Sequence, residues 1–218
     1  RQGIAGRASY NYKTRYFAEF NFGYNGSEQF PPGKRFGFFP SISLGYAINN
    51  EGFWNQNWAV STLKLRGSYG EVGNDISGSD RFLYLTTMNM DTSAGHMGKD
   101  GNSYQVGITE GQIGTPNVTW EKSKKLNVGV DLGFFHDALT LNLDYFSEKR
   151  SGILLQRGTI PVLAGFSGAS TPRGNLGKAE NHGFEAALEM KKTLKNGLFY
   201  SLRGNFSFAR NKIIENDE

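Results

Sequence analysis

One stretch of the sequence decides the fold: Leu139-Thr140-Leu141-Asn142-Leu143-Asp144-Tyr145. Apolar and polar residues alternate through it, so a β-strand of these residues has one apolar face and one polar face. In a soluble sandwich the apolar face packs on a second sheet. In a membrane barrel it contacts lipid, the polar face lines the lumen, and the long loops gather at one end. The positions of the loops therefore decide between the two architectures.

Seven further stretches alternate in the same way, at residues 4–12, 16–24, 36–48, 61–72, 120–134, 175–192 and 198–213. The strand that contains the quoted stretch runs from Leu139 to Glu148. The lengths of the connections between the eight strands follow the order short, long, medium, long, short, long, short. In an antiparallel sheet every second connection lies on the same side, so the long ones (25–35, 73–118 and 149–173) all fall at one end. This asymmetry favours a membrane barrel. A helical turn is expected within residues 49–58 and a short pairing around residues 82–88.

Aromatic residues lie at both ends of the predicted strands. Tyr10, Tyr12, Tyr16, Phe134 and Phe135 lie next to short turns, and Tyr24, Phe36, Tyr69, Trp120 and Tyr145 lie next to long loops. Two aromatic girdles are typical of a barrel that crosses both membrane interfaces. The alternative is that aromatic residues simply favour strands.

Composition narrows the class of protein. The chain has 218 residues, including 29 glycines and 17 phenylalanines, and its net charge of +4 is spread along the chain, which argues against a nucleic-acid partner. It contains no cysteine, so disulfides and thiolate chemistry are excluded. No apolar run approaches the ~20 residues of a membrane helix. Arg1-Gln2-Gly3-Ile4 is neither an initiator methionine nor a signal peptide, and we expect an internal piece of a longer protein.

No catalytic signature is present in the sequence. His96, His136 and His182 stand alone, and neither a phosphate-binding loop nor a nucleophile elbow occurs. Asp75 with Asp80, and Asp91 with Asp100, offer oxygen ligands, but their spacing fits no known calcium loop. We therefore predict that the chain is not an enzyme and uses no cofactor and no metal.

Several segments resemble the SusC/RagA family of TonB-linked outer-membrane transporters. They are Gly6-Arg7-Ala8-Ser9-Tyr10-Asn11-Tyr12-Lys13-Thr14-Arg15-Tyr16, residues 36–46, residues 63–70 with Gly73-Asn74, Trp120-Glu121-Lys122, Asn175-Leu176-Gly177-Lys178-Ala179-Glu180-Asn181-His182-Gly183-Phe184-Glu185, and residues 205–208 with Asn211-Lys212. The segments span nearly the whole chain in the order that the family shows.

The resemblance implies an antiparallel transmembrane β-barrel of about 22 strands, plugged by an N-terminal domain, in the outer membrane of Bacteroidetes-type bacteria. It implies import of oligosaccharides or peptides with energy relayed by TonB, and a surface lipoprotein of the SusD type as a lid. Residues 1–218 match neither the plug nor the TonB box. They are expected to form part of the barrel wall, about eight strands, with the rest of the barrel, the plug and lipid as partners. The alternative is a non-transporting surface β-protein, an adhesin or a carbohydrate-binding module.

A transporter would contact its ligand with the long loops and the lumen wall. Phe82, Tyr84 and Tyr104 are predicted to stack on sugars, and Asn89, Asp91, Asn102 and Gln105 to hydrogen-bond hydroxyls. The alternative is that these residues pack the long loop onto itself. The loops that bear Phe82, Leu83, Tyr84, Leu85, Leu163 and Phe166 are predicted to dock the lid, because they are more apolar than a solvated loop needs.

The alternation also predicts which side chains face lipid and which face the lumen. The lipid-facing set is Leu126, Val128, Val130, Leu139, Leu141, Leu143, Leu198, Tyr200 and Leu202. The lumen-facing set is Arg66, Asn127, Asp131, Asn142, Asp144, Arg203 and Asn205. We expect a curved sheet with two free edges. A small self-closed barrel, with the first strand paired to the eighth, is the alternative.

Overall fold

The computed structural model describes residues 1–55, 59–75, 81–97, 103–161, 171–194 and 197–217, with the backbone alone for 91–97 and 103–106. The strands in these ranges are β1 (Gln2–Tyr12), β2 (Tyr16–Gly26), β3 (Phe36–Ala47), β4 (Val60–Asn74), β5 (Met88–Met97), β6 (Ser103–Glu110), β7 (Glu121–Phe134), β8 (Leu139–Gln156), β9 (Arg173–Thr193) and β10 (Phe199–Glu215). A 3₁₀ turn, Ile48–Asn50, follows β3. The described residues include no helix that is long and apolar enough to span a membrane.

Eight of the strands form one antiparallel sheet in the order β1-β2-β3-β4-β7-β8-β9-β10. Each strand pairs with its neighbour in this order, and β5 pairs only with β6 in a separate hairpin. Strands β1 and β10 lie at opposite edges of the sheet, so the self-closed barrel is wrong for the described residues. The partial barrel with two free edges is confirmed.

The connections alternate between two ends of the sheet, as the sequence predicts. The β1–β2, β3–β4, β7–β8 and β9–β10 connections lie at one end, which we call the short-turn end. The β2–β3, β4–β7 and β8–β9 connections lie at the other, which we call the long-loop end. The β5–β6 hairpin belongs to the β4–β7 connection and therefore to the long-loop end.

The third long connection is shorter than predicted. Strand β8 continues to Gln156 and β9 begins at Arg173, so residues 149–156 belong to the sheet and not to a loop. The pairing shifts register between Ser151 and Ile153, around Gly152, whose φ is +69°. A bulge adds one residue to one strand and breaks the period of two, which is why the alternation appears to end near Glu148.

The pairing predicted around residues 82–88 is confirmed only in part, because Thr87 and Met88 pair with residues 110–112. Phe82 to Leu85 form a turn in which the Leu85 N–H donates to the Phe82 carbonyl at 2.8 Å, and the pairing lies further along, between β5 and β6. Two register shifts, between Asn89 and Thr92 and between Ser93 and Gly95, interrupt this hairpin. These shifts break the two-residue period of apolar and polar residues, so strict alternation in the sequence does not reveal either strand.

The pairing register places the two predicted sets of side chains on opposite faces of the sheet. Leu141 is opposite Leu132 and Leu188, whereas Asp144 is opposite Gly129 and Glu185. Residues directly opposite each other in a sheet share a face, and successive residues alternate between faces. All predicted lipid-facing residues of the strands lie on one face, the apolar face, and all predicted lumen-facing residues lie on the other, the polar face.

The apolar face is open to its surroundings. Leu202, Phe206 and Phe208 are 65%, 55% and 52% exposed, and none of the described strands packs over them as a second sheet. A soluble sandwich would cover such a face, so the sandwich is wrong. Apolar surface of this extent marks a site of contact with a membrane or with another protein.

Aromatic pairs occur at both ends of the apolar face. At the short-turn end Tyr16 stacks on Tyr46 with ring centroids 5.0 Å apart. At the long-loop end Tyr24 stacks on Phe36 at 5.2 Å. Trp120 does not belong to this girdle, because its side chain is only 8% exposed and is buried beneath the loops.

Candidate functional site

The long-loop end carries the main apolar cluster of the described residues. Its buried members are Phe30, Phe39, Leu83, Val118 and Trp120, and Tyr84 and Leu154 pack against it. The Trp120 ring lies 5.1 Å from the Phe30 ring and 5.2 Å from the Phe39 ring, and its indole N–H donates to the Arg35 carbonyl at 3.2 Å. The cluster joins residues of two connections, β2–β3 and β4–β7, with Phe39 and Leu154 of the sheet itself. We call this assembly the loop crown.

Asn175 holds the end of the β4–β7 connection against the sheet. Its Oδ1 accepts the Thr119 N–H at 2.9 Å, and its Nδ2 donates to the carbonyls of Thr119 at 2.9 Å and Gly152 at 2.7 Å. Thr115 adds a hydroxyl bond of 2.7 Å to the Arg173 carbonyl. These bonds satisfy backbone groups that a buried loop would otherwise leave unpaired.

The turn at Phe82 is held by two glutamines. The Phe82 N–H donates to Gln29 Oε1 at 3.0 Å, and Gln112 Nε2 donates to the carbonyls of Phe82 and Leu85 at 3.3 and 3.2 Å. Phe82 has a φ of +53°, an uncommon conformation for a residue other than glycine. The backbone of the turn is therefore fixed by its neighbours, and these bonds do not involve the Phe82 ring.

The β5–β6 hairpin rises from the loop crown. At its base the Thr87 N–H donates to the Gln112 carbonyl and the Gly111 N–H donates to the Thr87 carbonyl, both at 2.9 Å. Met88, Met90 and Ile108 are 57%, 64% and 65% exposed. The hairpin presents apolar side chains to its surroundings at the long-loop end.

The structure places two of the predicted ligand-contacting side chains next to each other. Phe82 is 39% exposed and lies edge-on to the half-buried Tyr84 with centroids 6.4 Å apart. Asn89 is exposed on β5 opposite Thr109. The structure places the backbones of the remaining described members, Asp91, Tyr104 and Gln105, in the same hairpin, whereas Asn102 lies outside the described residues, as do Leu163 and Phe166 of the predicted docking surface.

The polar residues that hold the loop crown together could not be predicted from the sequence. Gln29, Gln112 and Asn175 act through side-chain bonds to distant backbone, and such bonds leave no periodic signal. Leu83 is only 4% exposed, so it belongs to the interior of the crown and not to a docking surface. The prediction that Leu83 belongs to the docking surface is therefore wrong.

Charged side chains pair across the polar face of the sheet. Arg66 Nε donates to Asp131 at 3.0 Å, and Arg66 Nη2 donates to Asp144 at 2.5 Å. Gly129 lies between them, and an added Cβ there would fall 2.6 Å from Asp144 Oδ1 and 2.8 Å from Arg66 Cζ. Glycine at 129 therefore leaves the room that the guanidinium occupies.

Similar pairs follow along the same face. Glu148 accepts from the Ser123 hydroxyl at 2.6 Å and from Arg150 Nε at 2.9 Å, and Glu189 accepts from Arg203 at 2.5 Å. Asp144 Oδ1 is buried and accepts no hydrogen bond from the described residues. A buried acceptor without a partner is costly, so this face is suited to contact further polar groups.

Replacing Arg66 with methionine is expected to destabilise the full-length protein by about 1–2 kcal/mol, because two carboxylates lose their partner. The cost stays below that of a fully buried pair because the Arg66 side chain is 36% exposed. Denaturant unfolding in lipid vesicles measures it. Adding Asp144→Asn should recover part of the loss, whereas Arg7→Met, whose arginine side chain is 68% exposed, should change little. Equal losses from Arg7→Met and Arg66→Met would contradict the expectation.

Comparison with known proteins identifies the whole chain with one family model. The family is described as "TonB dependent receptor-like, beta-barrel" and matches residues 2–218. TonB-dependent receptor P3 of Formosa agariphila is 28% identical over 213 residues, which are 97% of this chain and 20% of that protein. TonB-dependent receptor SusC of Bacteroides thetaiotaomicron is 30% identical over 215 residues, which are 96% of this chain and 20% of that protein.

Solved structures share the fold. The RagAB peptide importer in its closed-closed state superposes with a TM-score of 0.81 at 22% identity, covering 98% of this chain and 22% of that one. Its open-open state gives 0.78 at 24% identity, covering 97% and 22%. The chain thus spans about a fifth of the length of the curated relatives.

Proposed function

The chain belongs to the TonB-dependent receptor β-barrel family and is a SusC/RagA-type portion of the barrel, and from this we propose that the full-length protein imports a nutrient across the outer membrane. The observation that carries the proposal is the open sheet, with an exposed apolar face on one side and paired charges on the other. A barrel wall needs both faces, since lipid contacts one and the lumen the other. The proposal predicts no enzymatic activity for this chain.

The two faces and two edges of the sheet support the partners that we propose. Strands β1 and β10 would pair with the remaining strands of the barrel, because edge strands carry unpaired backbone groups. The polar face would contact the plug, through which TonB acts, and the buried Asp144 Oδ1 is a group that such a contact would satisfy. The long-loop end would face the cell exterior, where the loop crown lies.

The exposed apolar side chains of the hairpin and of the turn before it are the proposed docking surface for a SusD-like lipoprotein. Leu85, Met88, Met90 and Ile108 are 48% exposed or more, whereas Leu83 lies within the crown. Methionine suits such a contact because its flexible side chain adapts to a partner. The crown fixes the base of the hairpin and so would hold this surface in place.

The cargo proposed is an oligosaccharide, with a peptide as the alternative. The seven predicted residues would contact it, beginning with Phe82, whose outward ring next to Tyr84 supplies an aromatic surface. Asn89, Asp91, Asn102 and Gln105 would supply hydrogen bonds, and Tyr104 a second ring. A peptide is supported by the neighbour RagAB, which is described as a peptide importer.

Uptake in cells tests the proposal. A strain that lacks the full-length gene is complemented with the native protein, and uptake of a labelled oligosaccharide mixture and a labelled peptide mixture is measured with and without TonB. We expect oligosaccharide uptake that requires both the protein and TonB. Uptake of peptide alone would change the cargo class, and uptake of neither would contradict import and favour a surface adhesin or carbohydrate-binding module.

Phe82→Ala is the variant for the same assay. Gln29 and Gln112 bond the backbone at Phe82 and not its ring, so the turn should keep its shape. Loss of an aromatic contact should weaken apparent affinity by roughly 2- to 10-fold. Phe53→Ala is the matched control, since Phe53 is 69% exposed at the short-turn end. Equal effects of the two variants would remove Phe82 from the site.

A further inference from the structure

At the long-loop end the apolar face carries five lysines: Lys122, Lys124, Lys149, Lys178 and Lys212. Lys124 is opposite Lys149, and Glu180 lies between Lys149 and Lys212. One row further out, Ser151 lies between Lys122 and Lys178. Adjacent strands are about 4.8 Å apart, so these side chains occupy one patch across β7, β8, β9 and β10. We call this patch the lysine cluster.

The lysine cluster begins where the uncharged part of the apolar face ends. On β7, β8 and β10 the nine residues 126–134, 139–147 and 200–208 place no Asp, Glu, Lys or Arg on this face. A tilted strand crosses the hydrocarbon core in about 9–11 residues. The first lysines on β7 and β8, Lys124 and Lys149, are the next residues on this face toward the long loops. They therefore lie at the depth of the lipid head groups.

Three glutamates on the same face neutralise only part of the charge. Glu71 pairs with Lys124 at 3.3 Å, Glu180 with Lys149 at 3.1 Å, and Glu215 with Lys178 at 2.8 Å. These lysine side chains stay 51%, 66% and 50% exposed, and such pairs are weak. Within the described residues Lys122 and Lys212 are exposed and have no ion-pair partner. Arg210 lies on the same face opposite His182, so five lysines and one arginine against three glutamates leave a charge of +3.

The opposite end of the same strands differs. In the described part of β7 to β10, Lys192 is the one lysine that the apolar face carries at the short-turn end. A mere solubilising role for lysine would favour both ends alike. The asymmetry indicates a function specific to the outer leaflet.

We propose that the lysine cluster binds the phosphate groups of anionic lipids in the outer leaflet. The proposal rests on the proposed outer-membrane location. Clustered lysines at a membrane surface attract anionic head groups, and phosphate accepts hydrogen bonds from ammonium groups. The uncharged part of the apolar face next to the lysine cluster contacts the acyl chains of the same lipid, so the head group and the chains bind together.

The test uses the full-length protein, extracted in a neutral detergent and titrated with purified lipid A, with bound lipid counted by native mass spectrometry. The variant is Lys122→Gln with Lys149→Gln and Lys212→Gln. The matched control removes the same charge at the other end, with Lys13→Gln, Lys191→Gln and Lys192→Gln. We expect lipid A binding at least about tenfold weaker for the variant, unchanged binding for the control, and weaker binding of native protein at high salt.

Three outcomes would overturn the inference. They are unchanged lipid A binding by the variant, an equal loss in the control, and equally tight binding of phosphatidylcholine. Inorganic phosphate is the further probe, and its complete displacement of lipid A at equal concentration would indicate a site for free anions. Cell fractionation and uptake of the variant separate this inference from the proposed function. A protein that is absent from the outer membrane refutes the location, whereas normal uptake with unchanged lipid binding refutes the cluster alone.

Discussion

Replacing Leu141 with arginine is expected to lower the free energy of unfolding of the full-length protein in lipid vesicles by about 2–4 kcal/mol. Leu141 lies between Leu132 and Leu188 on the apolar face, in the middle of the uncharged stretch of β8. A guanidinium at that depth must leave water or thin the bilayer around it. Reversible unfolding in urea measures the change.

Asn142→Arg is the matched control, because it places the same side chain one residue further on the polar face, opposite Asp131. Neighbouring residues of a strand point to opposite faces, so the control should change stability little. Similar losses from both variants would show that arginine harms the strand itself. No loss from Leu141→Arg would show that lipid does not cover this face.

Replacing Trp120 with alanine is expected to remove about 3–5 kcal/mol from the local stability of the loop crown. Trp120 joins Phe30, Phe39 and the Arg35 carbonyl, so its loss separates the connections from the sheet. The amides of Leu85, Gly111 and Thr115, which bond within the crown, should lose about two to four orders of magnitude of hydrogen-exchange protection. The proposed uptake and the proposed association with the lipoprotein should fall with them.

Trp120→Phe separates packing from hydrogen bonding. It keeps most of the ring contacts and loses only the bond to the Arg35 carbonyl, which is worth about 0.5–1.5 kcal/mol. Amides in the ladder between β7 and β8 should keep their protection in both variants, because that pairing does not depend on the indole ring. Loss of hydrogen-exchange protection throughout the sheet in Trp120→Ala would instead show that Trp120 stabilises the whole sheet and not the crown alone.

At the candidate site the sequence predicts some of the residues, and only the tertiary structure reveals the others. Phe82 and Tyr84 attract attention in the sequence because aromatic residues are notable in a polar loop. The structure separates them, since Phe82 is exposed while Tyr84 packs partly on the crown. Gln29 and Asn175 are ordinary polar residues in the sequence, and only their bonds to the Phe82 and Thr119 amides reveal their role.

The sequence by itself determined the eight strands of the sheet, the two faces and the end at which the long loops lie. These features follow from local alternation and from antiparallel geometry, so neighbouring residues suffice to predict them. Only the tertiary structure decided the β5–β6 hairpin, the full length of β8 and the membership of the loop crown. Bulges at residues 89–95 and at Gly152 break the period of two, and Trp120 meets residues more than 80 positions away. Such contacts form only after the sheet has brought distant loops together, and no local pattern records them.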